Sequence, residues 1–348
     1  MIETPSHLEE SRHKVLRLHR AGDLRLDEET SPLPRPNEAL VRVKAVGICG
    51  SDLHWFMEGG IGDAQISRPL VLGHELSGEV VTGEREGQPV AIDPAIPCGH
   101  CRYCLQGHPN LCPGVRFAGH GEQDGGLREH MIWPEDRLYP LPDSLSLVEG
   151  ALLEPLGVAL HAIDLAKIQV GMRVGVIGCG PIGLMVIQLL HLRGASQILA
   201  TEKLPHRLDA AKQFGATQVI QAQEGAEIPE ILAATGGEGL DVCIEVAGEN
   251  QAVEAAIEAA SPGACVVLVG IPTEDQTYFR ASSARRKGLT IKLCRRMKHT
   301  YPRAIQLVAS RQVDVASLVT HHFSLEDYGH AIQTAIHREG LKVVIEPA

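Results

Sequence analysis

Arg173-Val-Gly-Val-Ile177-Gly178-Cys179-Gly180-Pro181-Ile182-Gly183 is the stretch on which the fold turns. Val174 to Ile177 form an apolar run without polar alternation, the pattern of a strand buried on both faces. Gly178, Gly180 and Gly183 follow at once, and an apolar, helix-like segment continues from Ile182 to Leu192. A lone Gly-x-Gly-x-x-Gly carries little information. Placed directly after a strand and opening a helix, it reads as a dinucleotide turn. The glycines let the backbone approach closely, and the helix N-terminus faces a pyrophosphate, with Pro181 and Ile182 lining the same turn.

Outward from this turn the pattern repeats. Ile198 to Thr201 is strand-like and ends on Glu202, 19 residues after Gly183. A carboxylate there accepts ribose hydroxyls and repels the extra phosphate of NADP, so NAD is the expected cofactor. Helix-like segments at Leu204–Phe214, Ile228–Ala234 and Gln251–Ala260 alternate with strand-like ones at Gln218–Ile220, Val242–Val246 and Cys265–Val269. Such alternation predicts an α/β, doubly wound parallel sheet with helices on both faces.

The first third reads differently. Ala39 to Val46 alternates as a half-buried strand, Glu79–Val81 and Val90–Ile92 look similar, and Gly87 to Pro113 is rich in Gly, Pro, Cys and His. Within it stands Cys98-x-x-Cys101-x-x-Cys104, followed by Cys112. Four thiolates on one short loop close a tetrahedral Zn²⁺ site and leave no open position, so this zinc is expected to be structural. Two other turns carry donors: Gly47-Ile-Cys49-Gly-Ser51-Asp52-Leu-His54 and Gly73-His74-Glu75. Taken singly, each reads as a turn with a buried Cys or a hydrogen-bonded His. Glu154 lies between apolar neighbours, where a charge is costly unless something such as a zinc ion compensates it.

The bulk numbers fit. A chain of 348 residues favours two domains; 44% hydrophobic and 22% charged residues are ordinary for a globular protein. The net charge is −11 and the longest basic runs are short, which argues against nucleic acid. No segment approaches the roughly 20 apolar residues of a membrane span. The polar stretch Met1 to Lys14 lacks the apolar core of a signal peptide. With nine cysteines, four of them clustered as a metal set, a reducing, cytoplasmic location is expected.

These motifs, in this order and over Val15 to Pro347, resemble the zinc-dependent medium-chain dehydrogenase/reductase family. Within it, Glu154-Pro-Leu followed by Val158-Ala-Leu-His161, Val319-Thr-His321 and Gly340-Leu-Lys-Val-Val344 look most like the sorbitol (polyol) dehydrogenase branch. The resemblance implies a GroES-like β-rich catalytic domain at 1–158, a Rossmann domain at 159–295 and a return to the catalytic domain at 296–348, with the active site in the cleft. It implies a catalytic zinc on Cys49, His74 and Glu75, with Glu154 as direct or water-mediated fourth partner, and so two zinc ions per chain. Such a three-ligand ion keeps a position for the substrate oxygen and acidifies it. Ser51 and His54 would relay the proton. Glu202 and Arg207 would hold the adenosine ribose, and Val269, Gly270 and Ile271 would line the nicotinamide. Trp55, Phe117, His120 and Arg296 are the implied substrate contacts.

The implied activity is oxidation of a secondary alcohol, of polyol type, to a ketone by hydride transfer, in a homodimer or homotetramer. A threonine 3-dehydrogenase-like or amino-cyclitol dehydrogenase shares the same motifs. A non-catalytic, zinc-stabilised NAD-binding protein would be expected to lose a catalytic ligand, and none is lost. Three features depart from the pattern. The connection Val81 to Gln88 is short, with Gly87-Gln88-Pro89-Val90 in place of a common Gly-Asp-Arg-Val. Met297 stands where the branch often has Tyr. About a dozen extra polar residues precede the first strand and are expected to fray.

Overall fold

The computed structural model describes residues 12–347, so most of the extra N-terminal segment lies outside the described residues. The chain divides into two compact units. One runs up to Glu154 and resumes at Tyr301; the other is Pro155–Thr300. The junctions thus fall at 154/155 and 300/301, not at 158/159 and 295/296. Local packing gives the reason. A Cβ on Gly157 would lie 2.5 Å from Met297 Sδ and 2.6 Å from Thr300 Oγ1, so these two stretches belong to one unit.

The unit Pro155–Thr300 is a six-stranded parallel sheet. In chain order its strands are Arg173–Ile177, Gln197–Glu202, Gln218–Gln221, Leu240–Glu245, Ala260–Leu268 and Thr290–Leu293. Their spatial order is 3-2-1-4-5-6, so the order reverses between the first and fourth strands. The first strand is apolar throughout because parallel partners flank it and both faces are covered. Helix Pro181–Leu192 is buried continuously from Gly183 to Leu190, so its apolar character extends all round rather than along one stripe. Gly178 has φ +106°, which a side chain would strain. A Cβ on Gly183 would overlap the Gly178 carbonyl. The glycine spacing is therefore a packing requirement. Ile177, Leu199, Leu240, Ile257 and Val266 lie in the core.

The other unit is built on a seven-stranded sheet. Strand Glu38–Gly47 is its centre, paired antiparallel with Glu75–Val80, His130–Pro134 and the C-terminal strand Lys342–Glu346. The short connection after Val80 still closes as a hairpin: Gly87 N–H donates to Val80 O (2.8 Å) and Val80 N–H to Gln88 O (3.1 Å). Gly78 then faces Val90 in register. Two further strands, Arg12–Arg20 and Asp23–Thr30, form a smaller sheet with Leu70–Val71. The core joins Leu16, Trp55, Leu72 and Trp133 to Leu325 and Ile345, which shows the C-terminal return. Among the described residues no helix is long and apolar enough to cross a membrane.

Candidate active site and metal centres

Strand Glu38–Gly47 delivers the first donor. It runs through Ile48 into helix Gly50–Glu58, with Cys49 at the N-cap, and the Cys49 N–H donates to Asp52 Oδ2 (2.9 Å). Strand Glu75–Val80 delivers the other two, His74 and Glu75. Registered pairing of Gly47 with Glu75 brings the sets together. One donor atom from each of Cys49, His74 and Glu75 falls within 4.8 Å of the others.

Charge at this cluster is arranged for a cation. His74 Nδ1 stands 3.4 Å from Asp52 Oδ1, and Ser51 Oγ is 3.2 Å from His74 Nε2. Burial opposes an imidazolium at His74, yet the Asp52 carboxylate and the Cys49 thiol hold its pKa well above the usual histidine range. A positive charge is wanted at this point, and a metal ion fits the donor set. Asp52 also accepts from Gly73 N–H (3.1 Å), which fixes the turn carrying His74. Burial raises the Asp52 pKa, and His74 with the two backbone donors lowers it to a net depression.

Two placements extend the sequence reading. Glu154 does not belong to the three-donor group; it is buried, and burial pushes its pKa to about 7, with His74 pulling down and Glu75 pushing up. Lys342 was not singled out from sequence as a site residue. Its ammonium, only 3% exposed, pairs with Glu75 Oε2 and donates to Ile48 O (2.9 Å), beside Cys49. Burial opposes its charge, and Glu75 and Cys49 raise its pKa against that. Gly47 is needed here, since a Cβ would overlap the Glu75 carboxylate and lie 2.9 Å from Lys342 Cε. The available sequence signal is a lone cation at the head of the otherwise apolar run Lys342-Val-Val-Ile345.

Around the cluster, the Phe117 ring lies 5.4 Å from that of His74, and Trp55 meets His120 edge-on at 5.3 Å. His54, one turn beyond Ser51 on the helix, has Nδ1 3.2 Å from Glu58 Oε1 and is partly buried. Arg296 belongs to the other unit and has a left-handed backbone (φ +54°). Met297, in place of the branch's Tyr, is buried and packs against Gly157.

The four-cysteine lobe is also assembled: Cys98, Cys101, Cys104 and Cys112 offer sulfurs within 4.8 Å of one another. Four thiols this close cannot all ionise without a cation. Backbone N–H groups at His100 and Cys101 draw Cys98 down to about 6, while burial and its sulfur neighbours push Cys104 up to about 12. A divalent metal would resolve that conflict, so the donor chemistry fits zinc.

In the nucleotide-type unit, Glu202 Oε2 accepts from Cys179 N–H (3.0 Å), and Oε1 from Lys203 and Leu204 N–H (2.7 and 3.1 Å). A carboxylate has about four acceptor sites, so roughly one remains for a ribose hydroxyl. Arg207 stands beside the turn; a Cβ on Gly180 would lie 3.8 Å from its Nη1. Val269, Gly270 and Ile271 leave the fifth strand at the carboxyl edge of the sheet. They are tied there by Glu245, a residue the sequence reading missed. Glu245 Oε1 accepts from Ala247 and Gly248 N–H (both 2.7 Å), and Glu245 O accepts from Val269 N–H (2.8 Å).

Comparison with known proteins agrees with this geometry. Residues 35–143 match the alcohol dehydrogenase GroES-like domain, and residues 181–310 the zinc-binding dehydrogenase family. A sorbitol dehydrogenase of Bacillus subtilis is 36% identical over 96% of this chain and 97% of its own. A crystal structure of an Escherichia coli oxidoreductase of unknown specificity superposes with a TM-score of 0.91 at 33% identity. It covers 97% of this chain and 100% of its own. An NADP-bound zinc-binding dehydrogenase of Sinorhizobium meliloti matches with a TM-score of 0.89 at 30% identity, covering 97% and 100%.

Proposed function

This chain belongs to the zinc-binding, GroES-like alcohol dehydrogenase family and oxidises secondary alcohols of polyol type, and we propose that Cys49, His74 and Glu75 form its reacting centre. The observation that carries the assignment is the convergence of three metal-ligand donors, Cys49 partly buried and His74 and Glu75 buried. Cys49, His74 and Glu75 would hold a zinc ion, which would supply Lewis acidity to the substrate hydroxyl, and a nicotinamide cofactor would supply the hydride acceptor. The chain's own residues do the rest. Asp52 orients His74 and Lys342 orients Glu75. Glu154, with a pKa near 7, completes the set directly or through water. Ser51 takes the hydroxyl proton and His54 carries it outward. Trp55, Phe117 and His120 form the substrate contacts within this unit. The reading of the chain as a non-catalytic NAD-binding protein falls with its family membership and complete donor set.

The further assignments follow the same reading: two zinc ions per chain, the second on the cysteine lobe, and NAD as the preferred cofactor. The pyrophosphate lies on Gly178–Gly183, the ribose on Glu202 beside Arg207, and the nicotinamide against Val269–Ile271. The enzyme works as a homodimer or homotetramer in the cytoplasm. Because one structural relative is NADP-bound, the cofactor choice is a direct test of Glu202. The deciding experiment follows absorbance at 340 nm for zinc-loaded enzyme with polyols, threonine, amino-cyclitols and simple alcohols. Turnover is expected with polyols and NAD, and Glu202→Ala should cut the NAD-over-NADP preference at least about tenfold. Turnover confined to threonine would reassign the substrate; equal kcat/KM for NAD and NADP in the unaltered enzyme would remove Glu202 from its role.

A further inference from the structure

The loop from Phe117 to Leu127 carries two of the substrate contacts and also packs on the ligand-bearing turn. Its first half folds on itself: His120 N–H donates to Phe117 O (3.1 Å), Gln123 N–H to His120 O (3.2 Å) and Gly119 N–H to Gln123 O (2.9 Å). Its second half lies along the segment that leads into His74. Gly125 N–H donates to Val71 O (2.7 Å), Leu127 N–H to Leu72 O (3.0 Å) and Gly126 N–H to Gly73 O (2.9 Å). There is no slack, since a Cβ on Gly119 would lie 2.9 Å from Gly73 N and one on Gly125 would overlap Gly73 O.

Asp124 joins the two halves. Its Oδ1 accepts from Val71 N–H (3.1 Å) and Arg68 Nη1 (3.2 Å). Its Oδ2 lies 3.5 Å from Arg17 Nη1 and 3.6 Å from Arg128 Nη2. Glu29 closes the network from the other side, 2.6 Å from Arg17 Nη2 and 2.8 Å from Arg128 Nη2. Arg68 also donates to Glu122 O.

We propose that Asp124 is a positioning residue for the substrate wall, pegging the loop that carries Phe117 and His120 to the strand segment that delivers His74. This rests on the reading of those two side chains as substrate contacts. The Arg68–Asp124 pair is partly exposed, and such pairs stabilise a fold only weakly, about 0–1 kcal/mol each, whereas Arg128 is buried, so a purely structural role predicts a loss of thermal stability with no change in KM. Geometry is more sensitive: a misplacement of about 1 Å at a reacting centre can cost on the order of 100-fold.

The test uses the full-length, zinc-loaded enzyme with sorbitol, or the best polyol of the panel. D124A should raise the polyol KM about tenfold while kcat changes less than about threefold. Zinc content and NADH affinity, read by fluorescence titration, should stay unchanged. R68M, at a half-exposed position, should move KM the same way by about threefold, and it decides the matter if D124A does not fold. H120A should raise KM as D124A does, and the double variant D124A/H120A should fall short of the product of the two single effects, with Phe117 accounting for what D124A still adds. Additive effects in the double variant, loss of zinc, or lowered thermal stability with unchanged KM in D124A and R68M would overturn the peg. A raised KM in D124A beside an unchanged KM in H120A would instead overturn the reading of His120 and leave the peg supported.

Discussion

The two candidate metal centres differ in how the chain builds them. The cysteine lobe is local: all four donors lie between Cys98 and Cys112, three of them only partly buried. The Cys49/His74/Glu75 centre is non-local, with two donors almost wholly buried and its partner Lys342 donating to Ile48 across 294 positions of sequence. A local set of like donors has little besides the metal to hold it together. A non-local set is held by the sheet whether or not a metal is present, and its charges are already partly balanced by Asp52–His74 and Lys342–Glu75. Stability should therefore depend on metal at the first centre, and chemistry at the second.

Paired substitutions test this contrast where the effect is largest. Cys101→Ser should remove one zinc per chain and lower Tm by on the order of 10 °C, because a closed structural site returns its binding energy to folding. Cys49→Ser should also remove one zinc, lower Tm by less than half as much, and cut kcat at least about 10³-fold, as expected when several kcal/mol of Lewis-acid stabilisation are lost. Elemental analysis, calorimetry and the 340 nm assay read the three quantities. Equal losses of Tm in the two variants would erase the distinction.

A loss of stability of similar size, without the loss of the chemistry itself, is expected at Lys342. Removing one partner of a buried pair costs about 3–5 kcal/mol, since the other charge is left uncompensated. Lys342→Met should thus destabilise EDTA-treated enzyme by roughly 10 °C in Tm. Restored zinc should recover more than half of that, because a cation on Glu75 replaces the missing ammonium. If zinc recovers nothing, Lys342 supports the sheet and not the ligand.

The same contrast governs what could be read from sequence. Five of the six strands of the nucleotide-type sheet were legible because their signals are short-range: an apolar strand, a glycine turn, an acid 19 residues on; the sixth, Thr290–Leu293, was not, because it is a partly exposed edge strand with a lysine in its middle. The cysteine lobe was legible for the same reason. At the other centre Cys49, His74 and Glu75 stood out only through motif resemblance, and their supports did not. Asp52 reads as a helix-start acid until His74 is brought against it, and Lys342 has no meaning until its strand pairs with Gly47. Glu245 looks like the end of a strand until its carboxylate is seen accepting from Ala247 and Gly248. Non-local pairing, which no window of sequence contains, accounts for Asp52 and Lys342; the Glu245 contacts are only two and three residues away, and an acid before a turn carries no distinctive signal.

The smallest predicted effect concerns the link between the two centres. Strand Pro89–Ile92 pairs with the ligand-bearing strand Glu75–Val80, and the chain then passes through Asp93 toward Cys98. Burial raises the Asp93 pKa to about 6, although Ala95 N–H donates to its Oδ1 (3.0 Å) and Arg137 lies 3.6 Å from its Oδ2. The unfolded chain releases this proton near the ordinary value of 3.8. Between about pH 4 and pH 6 the folded state therefore binds more protons than the unfolded one, and stability falls as pH rises through that window. Above it the loss is complete and amounts to about 2–3 kcal/mol at 1.36 kcal/mol per pKa unit. Asp93→Asn keeps an acceptor for Ala95 N–H and removes the titration. The variant should match the unaltered enzyme near pH 4 and exceed its Tm by about 4 °C or more at pH 7. Thermal scans across that range, run on zinc-loaded protein, would show parallel curves if the Asp93 carboxylate is instead fully stabilised by Arg137. In that case the connection between the two centres would be bound by an ion pair and would carry no buried acid.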